Sequence, residues 1–323
     1  MQRIKFAAAA AVLVAMYGEA VAAEYPSRPL RVVVPFAPGG ASDFVGRIIQ
    51  PAYSSRLGQQ VVIDNRSGAA GNLGVEVAAR ANADGYTLLL GNVGTMAINP
   101  VYYTKFPYKP LKDLAPISQL VDVPGSLVVH PSLPVKTAKD LAAHLKANPN
   151  KLNYGAAAPS SANTLEALMF LGMTNTTATQ IAYKGGAGPA TLGLLGNEVQ
   201  FLFTTFTSTL PFAKQGRVRM LAVVAPERSK ALPDVPTMRE EGFDMQVGSW
   251  QGLFAPTGAP APIIALLHKT SLDVMRDATV GSRLAESGVT IVTSKSPADF
   301  TAFVKAETAR FGKAIRDAKI TTE

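Results

Sequence analysis

Short apolar runs alternate along the chain with stretches whose apolar residues recur at helical spacing. The run Leu30 to Val34 is rich in β-branched residues, which is typical of a strand buried on both faces. In the segment that follows, Phe44, Ile48 and Ile49 have helical spacing. Further strands are predicted at 61–64, 86–90, 152–155, 179–183, 199–203 and 218–224, and the last part is mainly helical, at 263–277 and 297–318. This alternation predicts an α/β fold.

Two β-rich runs interrupt the alternation. The run at 120–129 leaves the first group of elements, and the run at 246–254 follows a proline-punctuated connection at 226–242. A chain of 323 residues is also longer than one hydrophobic core usually organises. We therefore predict two domains, 24–125 with 248–323 and 126–247, joined by two crossovers. Two α/β domains joined in this way form a hinged clamshell with a ligand cleft between the lobes.

The first 23 residues have the pattern of a signal peptide. Arg3 and Lys5 precede a short apolar run at 6–16, and small residues at 20–23 are suited to cleavage after Ala22 or Ala23. The apolar run is too short to span a bilayer. We expect export to the bacterial periplasm and removal of residues 1–23.

The composition narrows the class of protein. Charged residues make up 17% and hydrophobic residues 47%, which argues against disorder. The absence of cysteine excludes disulfides, thiol catalysis and a lipidated cysteine anchor. The net charge is +8, but the basic residues are scattered and no basic stretch is interleaved with aromatics, so we expect no nucleic-acid partner. A basic protein can instead draw anions toward a cleft.

The loop after the first strand, PFAPGGASD, has the features of an anion site. Pro35 and Pro38 end the strand, and the pair Gly39-Gly40 allows backbone angles that other residues avoid. Ser42 or Asp43 can cap the helix that follows. First-turn N–H groups have no partner within their helix, and the helix dipole favours negative charge there. The alternative is an ordinary strand-to-helix turn.

A second loop of the same kind, GNVGTMAINP, follows the strand at 86–90. Gly91 and Gly94 break that strand, and Thr95 can cap a short helix. If both strands belong to one parallel sheet, the two loops meet at its carboxyl edge, where open α/β sheets bind ligands.

Motifs for catalysis are missing from the sequence. It has no Gly-x-Ser-x-Gly elbow and no phosphate loop ending in Gly-Lys, and its three histidines, His130, His144 and His268, lie in unrelated segments without metal-ligand spacing. We therefore expect no enzyme, no cofactor and no metal. A hydrolase is the less favoured alternative.

Several motifs together resemble those of the Bug family, the periplasmic substrate-binding components associated with tripartite tricarboxylate transporters. They are YPSRPLRVVVPFAPGGASD, VVIDNRSGAAGN, DGYTLLLGNVGTMAINP, KLNYG, YKGG, ALPDVPT and SWQGLFAP, in that order, and they cover essentially the whole mature chain. The resemblance implies a two-domain periplasmic-binding-protein clamshell, a small carboxylate ligand and membrane permease subunits as partners. It adds no cofactor, and we expect a monomer.

The resemblance also points to the residues that would hold the ligand. From the first domain they are Phe36, Pro38, Gly39, Gly40, Ala41, Ser42, Asp43, Phe44, Gly94, Thr95, Met96, Ala97 and Asn99. From the second domain they are Ser160, Ser161, Asn163, Thr164, Thr204, Thr205 and Phe206. Bridging water is expected to carry part of the contact with the ligand carboxylate.

One departure from the family pattern bears on the ligand. Where many members have Asp-Asn, this chain has Thr204-Thr205 followed by Phe206. Loss of the acid removes a partner for an amino group and a repulsive charge against a second carboxylate. The sequence thus favours a dicarboxylate without an amine. Phe36, Phe44 and Phe206 are candidates to face an aromatic ring, which makes terephthalate the favoured example, unless these rings pack in the core; a citrate-like acid stays open.

The expected mechanism is a two-state closure of the lobes. Ligand docks on the first-domain loops, and contacts from the second domain form only when the lobes meet. A membrane partner then recognises the closed form. That partner is a transporter permease by resemblance, and a signalling receptor is the alternative.

Overall fold

The computed structural model describes residues 25–105, 107–156, 160–245 and 248–317. The predicted signal peptide, 1–23, lies outside the described residues. Within them, no helix combines the length and the apolar character that a membrane span requires.

Two β-sheets organise the described chain. The first has six strands in the order β11-β4-β10-β3-β1-β2, and the second has five in the order β7-β6-β8-β5-β9. The strands are β1 (Leu30–Val34), β2 (Val61–Asn65), β3 (Thr87–Asn92), β4 (Leu114–Val123), β5 (Gly125–Val129), β6 (Asn153–Ala156), β7 (Thr179–Ala182), β8 (Phe201–Thr205), β9 (Arg219–Val224), β10 (Ser249–Pro256) and β11 (Thr290–Ile291). We call the body around the first sheet the first lobe and the body around the second sheet the second lobe. The predicted two-lobe α/β architecture is confirmed.

Helices follow most of the strands. They are α1 (Ala41–Leu57), α2 (Asn72–Ala79), α3 (Asn99–Tyr102), α4 (Pro110–Asp113), α5 (Ala138–Ala147), α6 (Ala162–Thr174), α7 (Ala187–Leu195), α8 (Phe206–Lys214), α9 (Ala261–Met275), α10 (Ala278–Glu286) and α11 (Pro297–Asp317). Short helical turns, Ala69–Gly71 and Gly94–Ile98, precede α2 and α3. Helix α10, which buries Val280 and Leu284, lies between the helices predicted at 263–277 and 297–318 and was not itself predicted.

The order of strands places the two glycine loops side by side. Strands β2, β1 and β3 are neighbours and run parallel, so the loops after β1 and β3 leave the same edge of the sheet. In the second sheet, β7, β6 and β8 are also parallel. The carboxyl edges of both parallel groups are where ligands are expected to bind.

The chain passes between the sheets at two places. The apolar run predicted at 120–129 is two strands in different sheets, separated by Pro124, which cannot donate a ladder hydrogen bond. Gly125 already pairs with Thr205 and Val224 of the second sheet, so the change of sheet comes one residue before the boundary drawn from the sequence. The return crossing lies between β9 and β10. The division of the chain into domains at these crossings stays a proposal.

Each sheet is covered on both faces. In β1, Val32 and Val34 pack in one apolar cluster, whereas Val33 packs in another on the opposite face. Trp250 belongs to the second of these clusters, and its indole nitrogen donates to Glu307 at 3.1 Å. Trp250 is therefore a core residue of the first lobe.

Candidate functional site

A small cavity lies between the carboxyl edges of the two sheets. Its volume is about 60 Å³, and both lobes contribute to its wall. The first lobe provides Phe36, Gly40, Ala41, Ser42, Ala70, Asn92, Val93, Gly94, Asn99, Ser249 and Gln251. The second lobe provides Ser160, Ser161, Ala162, Asn163, Gly186, Ala187 and Thr205. A ligand held in this cavity would contact both lobes at once.

Four long helices begin at the cavity wall, α1 from the first lobe and α6, α7 and α8 from the second. Their N-cap residues are Gly40, Ser161, Gly186 and Thr205, and all four line the cavity. At Gly40, Gly186 and Thr205 no side chain accepts a first-turn N–H group. In α8 the Phe206 N–H donates instead to the Pro124 carbonyl oxygen at 2.9 Å. Helix starts without side-chain caps attract anions, because first-turn amides have no partner within the helix and the helix dipole is positive there.

The loop before α1 is held by Asp43 from within the helix. The Asp43 carboxylate accepts from the Gly39 N–H at 3.1 Å and from Arg47 Nε at 2.9 Å. Gly39 has φ of 87°, a conformation that suits glycine. The expectation that Ser42 or Asp43 caps the helix is wrong, because the N-cap is Gly40. Asp43 orders the loop instead.

The loop after β3 is closed by a reciprocal pair of hydrogen bonds. The Thr95 N–H donates to Asn92 Oδ1 at 3.0 Å, and the Asn92 N–H donates to Thr95 Oγ1 at 3.2 Å. Asn92, which the sequence analysis did not single out, is therefore the capping residue at the cavity, and Thr95 lies behind it with no exposed surface. The capping role expected of Thr95 is therefore shared by Asn92 and Thr95.

The lobes contact each other around the cavity. Ser160 Oγ of the second lobe donates to Asn99 Oδ1 of the first lobe at 2.5 Å. On the other side, the Ala37 N–H donates to the Gly185 carbonyl oxygen at 3.1 Å. These hydrogen bonds describe a closed arrangement, in which the cavity is small because the walls meet.

The wall of the cavity is uncharged, and three of its side-chain oxygens already accept hydrogen bonds. None of the described lining residues is charged. The side-chain carbonyl oxygens of Asn92, Asn99 and Gln251 already accept hydrogen bonds from Thr95, Ser160 and Ser42 respectively. Helix starts without side-chain caps and a wall without a carboxylate suit an anionic ligand and give an ammonium group no charged partner.

Ten of the residues predicted from the sequence lie in the cavity wall. They are Phe36, Gly40, Ala41, Ser42, Gly94, Asn99, Ser160, Ser161, Asn163 and Thr205. Their contact with a ligand stays a prediction. The fold nevertheless brings first-lobe and second-lobe residues that are more than a hundred positions apart in the sequence to one cavity.

The other ten predicted residues lie outside the wall of this cavity, and their contact with a ligand also stays a prediction. They are Pro38, Gly39, Asp43, Phe44, Thr95, Met96, Ala97, Thr164, Thr204 and Phe206. Met96 and Ala97 are fully buried in a first-lobe core cluster. Phe206 is fully buried in the second-lobe core beside Val128 and Leu202, and Phe44 packs against the other first-lobe cluster. Phe206 is buried because strand β8 ends at Thr205, which faces the cavity, and the side chain of the next residue points into the second-lobe core.

Eight lining residues were missed by the sequence analysis. They are Ala70, Asn92, Val93, Ala162, Gly186, Ala187, Ser249 and Gln251. The glycine pair of the YKGG motif, Gly185-Gly186, was a signal that could have added Gly186. Ser249 and Gln251 lie on β10, where only the pairing of strands shows that they reach the cavity.

Comparison with known proteins assigns the family. The model of the tripartite tricarboxylate transporter family receptor matches residues 45–320. The chain belongs to this family.

Relatives of the receptor family resemble the chain over almost all of its length. Protein BugT of Bordetella pertussis is 35% identical over 295 residues, which cover 91% of this chain and 90% of BugT. An R. palustris protein solved with adipate is 33% identical, with a TM-score of 0.89, and the match covers 92% of this chain and 99% of that one. MatC from Rhodopseudomonas palustris, solved with bound malate, is 32% identical with a TM-score of 0.85, over 90% and 100% of the two chains. The family is one of periplasmic solute-binding receptors, as the sequence analysis expected.

Proposed function

We propose that this receptor captures a small dicarboxylate without an amino group between its lobes and delivers it to the permease subunits of a tripartite transporter. The observation that carries the proposal is the set of helix starts, α1 from one lobe and α6, α7 and α8 from the other, around an uncharged wall. An acid with a carboxylate at each end places one negative charge near each lobe. Relatives solved with adipate and with malate support the same ligand class.

The wall supports exclusion of an amine. Among its described residues there is no carboxylate, and Thr204-Thr205 stand where many members of the family have Asp-Asn. A charged ligand in a site without charged side chains depends on helix dipoles and hydrogen bonds, so the arrangement of donors and acceptors influences which ligand is bound.

Size favours a short aliphatic acid over an aromatic one. The cavity has about 60 Å³, whereas a cavity of roughly 150 Å³ is known to hold a benzene ring. A ring would therefore require the lobes to separate further than a short chain would. Of the three phenylalanines that favoured terephthalate, only Phe36 lines the cavity. Terephthalate remains the aromatic member of the test set.

Titration calorimetry with malate, succinate, adipate, citrate, terephthalate, aspartate and glutamate tests the proposal. We expect heat from one or more of the amine-free diacids, and weaker or no response to the two amino acids. Tight binding of glutamate with no response to any amine-free acid would contradict it.

The place and partner of the protein are part of the proposal. We propose a monomeric periplasmic receptor whose signal peptide is removed after Ala22 or Ala23, which mass spectrometry of the exported protein would reveal as a new N-terminus at Ala23 or Glu24. Capture of membrane proteins by the liganded receptor should recover permease subunits. Recovery of a signalling receptor without any permease would overturn the transport role.

A further inference from the structure

Gln251 is a buried polar residue at the centre of the first lobe. It lies on β10, opposite Asn92 of β3 and Val121 of β4, and none of its surface is exposed. Its neighbour Trp250 faces the core, so Gln251 faces the other side of the sheet, where it joins the cavity wall.

The two ends of the Gln251 side-chain amide differ in their surroundings. Its Oε1 accepts a hydrogen bond from Ser42 Oγ at 2.7 Å. Its Nε2 has no hydrogen-bond partner within the part of the chain that the structure describes. Buried polar atoms are nearly always paired, since leaving one without a partner costs its full desolvation energy. The unpaired NH₂ group therefore calls for an acceptor that is not a described part of the protein.

Comparison with other buried groups makes Gln251 distinctive. Gln119, on the neighbouring strand β4, is also buried, but its Nε2 donates to Asp122 Oδ1 at 2.7 Å. Within the described residues, the other buried side-chain atoms without a partner are the hydroxyls of Thr204 and Thr207, and neither residue lines the cavity. Of these three residues, Gln251 is thus the one that lines the cavity.

We propose that Gln251, oriented by Ser42, determines specificity by donating its Nε2–H to an oxygen of the bound acid and so selects oxygen over an amino group at that point. The inference rests on the proposed function, because it assumes an acid in this cavity. A hydroxyl or carboxylate oxygen accepts this hydrogen bond. An ammonium group has no lone pair, so it leaves the Gln251 donor unpaired and sets N–H against N–H.

Ser42 acts as the positioning residue in this scheme. While its hydroxyl donates to Oε1, the amide presents NH₂ to the ligand. In the opposite amide orientation, Ser42 would accept from Nε2 and Oε1 would meet the ligand, which gives the opposite preference. Loss of the Ser42 hydroxyl allows both orientations and should weaken the discrimination.

Titration calorimetry with L-malate and L-aspartate tests the inference on the mature protein, because these acids differ by a hydroxyl and an amino group. We expect the wild-type protein to bind malate roughly 10- to 100-fold more tightly, the ratio that one unpaired buried donor typically produces. In Gln251→Met this ratio should fall by about tenfold, mainly through weaker malate binding. Ser42→Ala, on a different element, should reduce the ratio in the same direction.

Gln119→Met is the matched control, since it removes a buried amide from the adjacent strand without touching the cavity. Its malate-to-aspartate ratio should equal that of the wild type. An unchanged ratio in a folded Gln251→Met or Ser42→Ala protein, or a wild-type preference for aspartate, would overturn the inference alone. Failure of the wild-type protein to bind any diacid would overturn the proposed function, and this inference with it.

Discussion

The helices that begin at the cavity start differently from helices on the outside of the molecule. At the outer helix α5, Thr137 and Asp140 form a reciprocal capping pair, and at α10 the Asp277 side chain accepts from the N–H groups of Thr279 and Val280. At the cavity, Gly40 and Gly186 have no side chain that could accept in this way. Side chains thus satisfy the starts of α5 and α10, whereas the starts of α1 and α7 are left open where a ligand can take that role.

The comparison has one instructive exception. Ser161 lines the cavity, yet its hydroxyl accepts from the Thr164 N–H at 3.1 Å. Helix α6 therefore offers fewer unpaired amides than α1 or α7. We infer that α1 and α7, one from each lobe, contribute most of the attraction for an anion.

Placing an acid at an open helix start should have the largest effect. Gly40 has φ of −86°, and a Cβ there would lie 3.8 Å from the nearest atom, the Ala37 carbonyl oxygen, so Gly40→Asp fits without backbone strain. The new carboxylate should cap α1 and raise the free energy of unfolding by a few tenths of a kcal/mol. It should also occupy the anion site and weaken every diacid by at least about 100-fold in calorimetry.

Gly40→Ala is the control for this variant, because it adds a Cβ without a charge. It should keep most of the affinity. If Gly40→Asp bound diacids as well as Gly40→Ala does, the open helix start would not be the anion site.

Carboxyl groups near the two kinds of helix start also differ in their pKa. At the outer helices, a backbone hydrogen bond from Lys136 lowers the pKa of Asp140, and one from Val280 lowers that of Asp277. Near the cavity, burial raises the pKa of Glu166 on α6 to about 8, although a hydrogen bond from Asn163 opposes the shift. Capping favours the charged form of a carboxyl group, and burial behind the cavity wall favours the neutral form.

Glu166→Gln should flatten the dependence of stability on pH. Between the ordinary pKa of 4.5 and the folded value of about 8, the folded protein keeps a proton that the unfolded chain has released, so stability falls as pH rises. Each unit of this shift corresponds to about 1.4 kcal/mol. Denaturant unfolding at pH 5 and pH 8 should show a fall of a few kcal/mol in the wild type that Glu166→Gln lacks. Glu286→Gln, at an exposed position, should behave as the wild type, and equal slopes in all three would refute the prediction.

Thr205→Asp should have an intermediate effect that concerns the choice of ligand. Thr205 is an uncapped helix start at the cavity wall, so an acid there repels a carboxylate and offers a partner to an amine. In calorimetry the ratio of malate to aspartate affinity should fall by about tenfold, whereas the neutral Thr205→Asn should change it less. An unchanged ligand ranking would contradict the argument for an amine-free ligand.

The sequence was sufficient for most elements and for the loop after β1 that lines the cavity, because those are encoded locally. Strand β1 was predicted with its observed bounds, Leu30–Val34. A short run of β-branched residues between a proline and a loop is compatible with few structures other than a buried strand. Gly40 and Ser42 were found because strand, glycine pair and helix follow each other directly. Both lobes and both crossings could be predicted from the same local patterns.

Sequence reasoning failed where a residue's role depends on a distant partner. Gln251 is fixed by Ser42, which precedes it by 209 residues, and alternation along β10 does not tell which face meets the cavity. Thr205 and Phe206 are adjacent, yet one lines the cavity and the other fills the core. A shift of one residue at the end of a strand exchanges the side chain that faces the cavity with the one that faces the core. The pairing of the strands must therefore be known before either residue can be assigned.

The smallest expected effect comes from removing an outer cap. Thr137→Ala deletes the hydroxyl that accepts from the Asp140 N–H at 2.9 Å, and we expect the free energy of unfolding to fall by about 1 kcal/mol with diacid affinity unchanged. Ser161→Ala is the matched variant at the cavity, because it removes a cap from α6 and a hydroxyl from the wall together. It should lower both stability and affinity. The comparison predicts that caps at outer helix starts serve stability alone, whereas residues at the cavity also serve binding. Loss of diacid binding in Thr137→Ala, or full retention of binding in Ser161→Ala, would contradict it.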